Sequence, residues 1–340
     1  MRKDTLVFRS ILVAAAWLLL ISLLHYGLNV YEGPRQVVTM GYMPVVSNMS
    51  APLLDRASAE SGGGVRYKAL KFASFAEMAE ALRGDEIDVA FIIAPLAVVL
   101  RQQGLDVKVI YIGNRQESTL VARKELQVEN LADLRGRTVA VPMRYSGHNL
   151  TMRQLMALAG LTGQIKIVEL NPPDMAAALA SGSLDAYFVG EPFAAQTLMN
   201  GDANLVFRAE EKCPYFICNL LITRESFIAD HGNLVQDLVQ GAVRAGLWAS
   251  QHQDEAAAIA ADYWRQSPEI IKYALSTPPN RVDFSKYVPT TAEMQHMAEL
   301  MVRFGLSQSA DIGGLVDDSF SRKANTAAIH DFADILASDN

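Results

Sequence analysis

Two polar residues open a predicted helix near the middle of the 340-residue chain, and their position suits anion binding. His148 and Asn149 follow Ser146, which has the side chain of a typical helix N-cap. The first N–H groups of a helix lack intrahelical partners and carry partial positive charge, so they attract anions. A histidine at this place can donate a hydrogen bond to an oxyanion. A capping or surface role for the pair is the alternative.

A second candidate is the carboxylate in LDAYFVGEP, residues 184–192, where a predicted buried strand ends on Gly-Glu-Pro. Glu191 lies at the strand end. There it either faces a ligand or binds backbone N–H groups or an arginine across a hinge, and the residue types leave both roles open. The sequence contains no Cys/His spacing of the zinc type, so we predict neither a metal nor a cofactor.

These residues belong to a long internal repeat. Residues 78–95, MAEALRGDEIDVAFIIAP, resemble residues 175–192, MAAALASGSLDAYFVGEP. Each copy predicts a short helix, a glycine break, an acidic residue and a strand that ends in proline. Pro44 and Pro142 end further predicted strands, 51 and 50 residues before the prolines that close the two copies. The matched spacing predicts two lobes of similar plan.

Strands that alternate with short helices predict an α/β fold with parallel or mixed sheets covered on both faces. Ligands of such sheets bind beyond the carboxyl ends of the strands, so two facing lobes share one cleft. We expect strand-end residues to line this cleft, as wall or, at positions other than proline, as donors of backbone N–H groups: Tyr42, Met43, Pro44, Ala94, Pro95, Pro142 and Pro192.

The order of predicted elements divides the chain into four segments. Residues 1–33 form an N-terminal signal or membrane anchor, and residues 34–122 the first part of the first lobe. Residues 123–214 form the second lobe. Residues 215–340 return to the first lobe and add C-terminal helices. Within the first lobe, Ser74 and Glu77 have the spacing of a capping box.

The N-terminal segment has the charge pattern of an export signal. Arg2, Lys3 and Arg9 precede an apolar run over residues 11–24, which reaches residue 30 if two polar residues are included. The longer run is long enough for a bilayer core of about 30 Å. No small-x-small cleavage site follows, which favours an uncleaved inner-membrane anchor with the rest of the chain outside the cytoplasm. A cleaved signal peptide and a buried core helix are the alternatives.

Charge and cysteine content narrow the classes of partner. The formal net charge is −7, and we find no basic, aromatic-rich stripe, so nucleic acid is not expected as a partner.

Cys213 and Cys218 are the two cysteines of the chain. A disulfide between them needs a tight turn at Pro214, because an extended chain separates them too far. The sequence leaves this pairing open.

Several stretches together resemble the substrate-binding proteins of nitrate/sulfonate/taurine-type ABC transporters, and the nitrate and bicarbonate binders look most similar. They are GYMPVVSNMSAPLL, LADLRGRTVAVP, SGHNLTMRQLMALAG and NPPDMAAALASGSLDAYFVGEPFAAQ. The resemblance spans about residues 37–227. It implies a two-lobed, type II periplasmic-binding-protein-like fold whose hinge closes on a small solute. It also implies an extracytoplasmic location, with ABC permease and ATPase subunits as partners.

The resemblance suggests further ligand residues. It implies polar ligand contacts near Glu117 and Ser118 and supports His148. In bicarbonate-type relatives an acidic residue near Glu191 accompanies a metal, although the spacing here does not support one. Nitrate-type relatives carry a lysine where this chain has Asn219. Loss of that charge argues against nitrate and favours a neutral or weakly charged solute, a larger organic acid or a sulfonate.

Two other functions remain open at this point. One is a membrane-anchored sensory or regulatory module of the same fold, which an uncleaved anchor would suit. The other is an enzyme similar to the thiamine-pyrimidine synthases, which share the fold but depend on a reactive histidine and a cofactor lysine. Because the sequence contains no matching motif, we predict a binding protein and not an enzyme.

Overall fold

A computed structural model describes residues 2–29, 35–62, 64–213 and 216–337. Within these ranges the chain forms the following strands: β1 (Val37–Tyr42), β2 (Arg66–Lys71), β3 (Val89–Ile93), β4 (Val107–Arg115), β5 (Ser118–Arg123), β6 (Thr138–Val141), β7 (Lys166–Glu169), β8 (Ala186–Gly190), β9 (Ala203–Arg208) and β10 (Ile217–Arg224). The α-helices are α1 (Arg2–Asn29), α2 (Ser50–Glu60), α3 (Phe75–Arg83), α4 (Ala94–Gln102), α5 (Gly147–Leu158), α6 (Pro172–Ala180), α7 (Phe193–Asn200), α8 (Ala209–Lys212), α9 (Glu225–Gln251), α10 (Gln253–Trp264), α11 (Pro268–Ser276), α12 (Thr291–Arg303) and α13 (Ser319–Arg322).

The strands form two five-stranded sheets of the same plan. The first lobe contains the order β2-β1-β3-β10-β4, and the second lobe contains β7-β6-β8-β5-β9. In each sheet the fourth position is taken by an antiparallel strand, β10 or β5, whereas the other described pairs are parallel. The predicted two-lobed α/β fold with mixed sheets is therefore confirmed.

The acidic residue of each repeat copy has one structural role. The carboxylate of Asp88 accepts a hydrogen bond from the Thr39 N–H at 2.7 Å, and that of Asp185 accepts one from the Thr138 N–H at 2.8 Å. Thr39 belongs to β1 and Thr138 to β6, the equivalent strands of the two sheets. Each aspartate thus connects the start of the strand in the third position of its sheet, β3 or β8, to the strand in the second position, β1 or β6. This shared role explains the recurring acidic position.

Local signals in the sequence set several helix boundaries. Ser74 caps α3 by accepting from the Glu77 N–H, and Ser146 caps α5 by accepting from the Asn149 N–H. Helix α6 begins with Pro172, whose missing N–H would have no intrahelical partner in the first turn. These caps place the starts of α3 and α5 at the ends of strands, where the lobes face each other.

Apolar clusters cover both sheets. One runs through both lobes and includes residues of α3, α4, α6 and α12, and a second joins β1 to the long C-terminal helices α9, α10 and α11. A third, with Met152 and Phe188, covers the other face of the second sheet. The C-terminal helices therefore pack mainly on the first lobe, and their alanine-rich faces allow close approach to α2.

Two expectations need correction. Strand β5 already pairs with β8 and β9, so the chain enters the second sheet at Ser118 and not after the predicted boundary at residue 122. The N-terminal membrane segment is not supported, because no helix among the described residues combines the length and apolar character that crossing a bilayer requires. Of residues 1–33, for which a signal or anchor was predicted, residues 2–29 form helix α1, and residues 1 and 30–34 lie outside the described ranges.

Candidate functional site

Polar side chains collect where the strand ends of the two lobes meet. We call this group the interlobe polar cluster. Its members are at most 2% exposed, although each carries hydrogen-bonding atoms: Ser47, Asn114, Glu117, Ser118, His148, Cys218 and Asn219. Buried polar atoms are usually paired within a protein, so a group of this kind marks a candidate binding site.

Glu117 lies at the centre of the cluster, between β4 and β5. It and Gln116 have φ angles of 60° and 89°, a left-handed conformation that is uncommon for residues other than glycine. The turn directs the carboxyl group at the end of β8, where Oε2 accepts the Glu191 N–H at 2.7 Å. Oε1 has no hydrogen-bond partner among the described residues.

Burial, together with the charge of Glu191, raises the pKa of Glu117 to about 8. The Cys218 thiol, the Ser47 hydroxyl and the Arg281 guanidinium oppose this increase, because each favours the ionised form. The carboxyl group is therefore mostly protonated at neutral pH and can ionise when a favourable partner binds.

His148 begins α5 and points at the second sheet. Its Nε2 lies 3.0 Å from Ser118 Oγ, and its ring packs edge-on against Phe188 and Phe216 at centroid distances of 4.9 and 5.2 Å. Burial lowers the pKa of His148 to about 3, so the imidazole is neutral at physiological pH. The side chain can exchange hydrogen bonds with a ligand but does not bring a positive charge.

Asn219 joins the cluster from the first lobe. It lies in β10 opposite Ile93 of β3 and Asn114 of β4, and its Nδ2 donates to Ser47 Oγ at 2.8 Å. The two side-chain polar atoms of Asn114 and Oδ1 of Asn219 have no partner in the described part of the chain. An amide pair thus occupies the place where the resemblance predicted a lysine.

Glu191 is held by the protein itself. Its carboxylate accepts hydrogen bonds from Thr119 Oγ1 at 2.6 Å, Arg281 Nη1 at 2.9 Å and the Ala195 N–H at 2.7 Å. Arg281 also donates to Glu210 at 2.7 Å. Of the two roles left open by the sequence, these contacts match the one in which an arginine and backbone N–H groups hold the carboxylate.

Other predicted site residues lie beside the cluster and not within it. The Asn149 amide donates to the Arg144 carbonyl and accepts from Arg153, so it stabilises the start of α5. Tyr42 packs in the apolar cluster under α2 and α9. Ala94 is buried at the start of α4, and the strand-end prolines next to the lobes are buried as well: Pro44, Pro95, Pro142 and Pro192.

One of the strand-end prolines, Pro142, lines an opening between the lobes. A gap of about 280 Å³ between the lobes is lined by Ser74, Pro142, Met143 and Glu169, among others. Near the polar cluster the lobes touch directly, since the Val46 N–H donates to the Glu191 carbonyl at 2.8 Å. The lobes therefore enclose a gap at one place and are in direct contact beside the polar cluster.

Neither a metal site nor a disulfide is present in the described ranges. No group of three His, Cys, Asp or Glu side chains there is arranged to hold a metal ion. Cys213 and Cys218 are free, and Cys218 contributes its sulfur to the cluster as an acceptor from Ser118 Oγ at 3.6 Å.

Sequence reasoning missed three members of this region. Asn114 lies near the end of β4, and Ser47 follows the buried apolar residues Val45 and Val46, so a polar residue at the end of a buried apolar run was the available signal. The residue before Asn114 is Gly113, where only glycine fits, because a Cβ there would lie 1.9 Å from the Ser47 carbonyl oxygen. Arg281 had no signal, because it follows α11 in a segment without regular structure.

Two mixed sheets of equal strand order, facing each other across a polar cluster, define the two-lobed α/β class of binding proteins. The model of the NMT1-like family matches residues 32–263. This chain therefore belongs to the NMT1-like family.

Individual proteins are similar over most of the chain. A Bacillus subtilis (strain 168) protein named as a candidate aliphatic sulfonates-binding protein is 22% identical over 268 residues, covering 77% of this chain and 79% of the relative. The taurine-binding periplasmic protein of Escherichia coli (strain K12) is 26% identical, with 61% and 65% covered. The ligand-binding component of an ABC-type import system from Staphylococcus aureus, solved with zinc bound, has a TM-score of 0.78 at 20% identity and covers 86% of this chain and 100% of its own.

Proposed function

We propose that this chain is the extracytoplasmic solute-binding component of an ABC importer and that it holds a small solute between its lobes. The observation that carries the proposal is the interlobe polar cluster. Glu117, Asn114 and Asn219 are at most 1% exposed, yet each has a side-chain atom without a partner in the described residues. An unpaired buried polar group costs about 1–3 kcal/mol, and a solute that pairs with several of them recovers this free energy on binding.

The two-lobed geometry supports a binding function over a catalytic one. The cluster combines residues of both lobes with the turn that connects them, so a bound solute would hold the lobes together. His148 is neutral and packed between two aromatic rings, and Cys218 is buried with a pKa raised well above its usual value by burial. Neither group has the exposure or the ionisation that a nucleophile or general base needs.

The relatives support the transport context and the location. Those described above are named for binding sulfonates or taurine, or as part of an import system, and one is periplasmic by name. By this similarity the solute class includes small sulfonates, and the partners are an ABC permease and its ATPase. Pull-down of the full chain from detergent-solubilised membranes of its own organism should recover such a permease–ATPase pair.

A melting-temperature screen of the full chain tests the binding function. We expect at least one small solute, in a panel containing taurine, alkanesulfonates, nitrate and bicarbonate, to raise the melting temperature, since a ligand that binds the folded state stabilises it. Small-angle X-ray scattering with that solute should show no expansion of the particle, because a solute bound between the lobes holds them together.

Substitution at His148 connects binding with the cluster. The variant His148→Ala should weaken binding of that solute about tenfold or more, because it removes a buried hydrogen-bonding group. The matched control is His330→Ala, an exposed histidine that follows α13, which should leave affinity unchanged. Equal affinities in wild type and His148→Ala would remove His148 from the proposed site.

A further inference from the structure

Most unpaired polar atoms of the interlobe polar cluster are hydrogen-bond acceptors, and this excess of acceptors indicates the kind of solute that the cluster can bind. We propose that the solute carries a cationic nitrogen with N–H groups and that Glu117 is its counter-ion. The inference rests on the proposed function, because it names the chemical class of solute for the same site. It is carried by the direction of the hydrogen bonds, by the unpartnered atoms and by the local charges.

The hydrogen bonds around Glu117 have a defined direction. Ser118 Oγ donates its one proton to Cys218 Sγ, so His148 Nε2 must be the donor in its 3.0 Å contact with Ser118 Oγ. The neutral imidazole has one N–H, and Nδ1 is consequently an acceptor. His148 Nδ1 has no partner among the described residues.

The first lobe also contributes unpaired acceptor atoms. Asn219 donates through Nδ2 to Ser47 Oγ, which leaves its Oδ1 as a free acceptor. Asn48 donates through Nδ2 to the Met43 carbonyl at 2.9 Å and likewise keeps Oδ1 unpaired.

Acceptors therefore predominate among the unpartnered atoms of this region in the described ranges. They are Asn48 Oδ1, Asn114 Oδ1, His148 Nδ1 and Asn219 Oδ1, and Glu117 Oε1 joins them when its carboxyl group is ionised, while the amide nitrogen of Asn114 is the donor. Nitrate and other simple oxyanions offer acceptors, so they would leave most of these atoms unpaired. A protonated amine or amidine offers several N–H donors and matches them.

The charges around the cluster also favour a cationic solute. The carboxyl groups at and beside the cluster are Glu117, Glu191 and Glu210, and the Arg281 guanidinium contacts the last two of them. Arg281 is already bound to Glu191 and Glu210, so Glu117 is the carboxyl group without a cation. A cationic solute gains attraction in this buried setting, whereas a simple anion adds repulsion to the desolvation cost.

Ionisation of Glu117 gives the proposal a measurable consequence, the release of a proton on binding. Its pKa of about 8 means that the group is mostly protonated at pH 7. The charged groups that act on it are Glu191 at the end of β8 and Arg281 after α11. The uncharged Cys218 thiol of β10 and the Ser47 hydroxyl also act on it, and neutral His148 lies beyond Ser118. Binding of a cation to the carboxylate should therefore release about one proton at pH 7.

The experiment uses the full chain and matched probes. Taurine and isethionate differ by an ammonium in place of a hydroxyl, and ethanolamine and choline differ by the N–H groups on the cation. These probes and the common amino acids are screened by melting temperature. The tightest binder is then titrated calorimetrically at pH 6, 7 and 8 in buffers of different ionisation enthalpy, which reports the number of protons released.

We expect the tightest binder to carry an N–H cation, to release about one proton at pH 7, and to bind roughly tenfold more weakly for each pH unit below 8. Glu117→Gln should weaken binding about 10- to 100-fold and abolish the proton release. Proton release by the wild type keeps the test valid even if Glu117→Gln does not fold.

Other outcomes separate the two proposals. If isethionate, nitrate or choline is the tightest binder and no proton is released, the inference about the solute is wrong and the binding function stands. If no probe raises the melting temperature and alkanesulfonates and bicarbonate also fail, the proposed function fails and the inference fails with it.

Discussion

Arg281 and Glu191 form an ion pair of 2.9 Å between side chains that are each 2% exposed, and this pair joins the two lobes. Arg281 follows α11 in a segment connected to β4 by the bridge between Asp283 and Arg115, whereas Glu191 ends β8 of the second lobe. Thr119 accepts from the same guanidinium and donates to the same carboxylate. The hinge side of the molecule is thus held by a buried network in which each charge has a partner.

Removing the cation of this network should be costly. Arg281→Met leaves Glu191 and Glu210 without their cation, so we expect the free energy of unfolding to fall by about 3–5 kcal/mol. Urea unfolding followed by circular dichroism measures the change. The matched control is Arg322→Met, because Arg322 pairs with Asp318 while 61% exposed, and its loss should cost at most about 1 kcal/mol. A similar small cost for both variants would contradict a structural role for the buried pair.

Glu117 should make the protein less stable as pH rises. Its folded-state pKa of about 8 lies above the ordinary value for glutamate, so the folded protein retains a proton that the unfolded chain has lost. This contribution is complete below about pH 4 and disappears as pH rises to 8, with a slope of up to about 1.4 kcal/mol per pH unit.

Urea unfolding of ligand-free protein between pH 6.5 and 8 tests this slope. Glu117→Gln should flatten it, whereas Glu299→Gln, on the exposed side of α12, should leave it as in the wild type. Parallel curves for wild type and Glu117→Gln would mean that Glu117 titrates normally in the folded state.

His148 should act in the opposite direction. Its folded-state pKa of about 3 lies below the ordinary value of about 6.5, so on acidification the unfolded chain takes up a proton first. The stabilisation is complete above pH 6.5 and is lost as pH falls toward 3. His148→Gln retains a donor near Ser118 but does not titrate, and its stability should fall less steeply than that of the wild type between pH 6.5 and 4. Identical pH dependence in the two proteins would show that the ring is accessible to protons.

Gly113 should not tolerate a side chain. A Cβ at this position would lie 1.9 Å from the Ser47 carbonyl oxygen, which belongs to the backbone and cannot rotate away. We expect Gly113→Ala to lower the free energy of unfolding by about 1–3 kcal/mol and to weaken solute binding, because Ser47 must move.

The control for this substitution is Gly232→Ala in α9, where a Cβ meets no atom within 4 Å. It should be neutral or slightly stabilising, since alanine favours a helix. Both variants can be compared by urea unfolding and by the melting-temperature screen. An unchanged free energy of unfolding in Gly113→Ala would show that the Ser47 backbone can move away from residue 113 at little cost.

The sequence by itself determined the repeated plan of the protein. Matched spacings around Asp88 and Asp185 predicted two similar lobes, because each aspartate closes the same local hydrogen bond in its own sheet. The caps at Ser74 and Ser146 were also predictable, since a cap depends on residues a few positions apart. His148, Glu117, Ser118 and Asn219 were predicted as site residues, and the structure brings these four into one cluster.

Only the tertiary structure decided what surrounds those residues. The guanidinium of Arg281 reaches Glu191 across 90 residues of sequence, and Asn219 reaches Ser47 across 172. No local pattern encodes such contacts, because they depend on how sheets, hinge and C-terminal helices pack together. Burial in that packing makes His148 neutral and raises the pKa of Glu117, so the charge of the site is a property of the fold and not of the residue types alone.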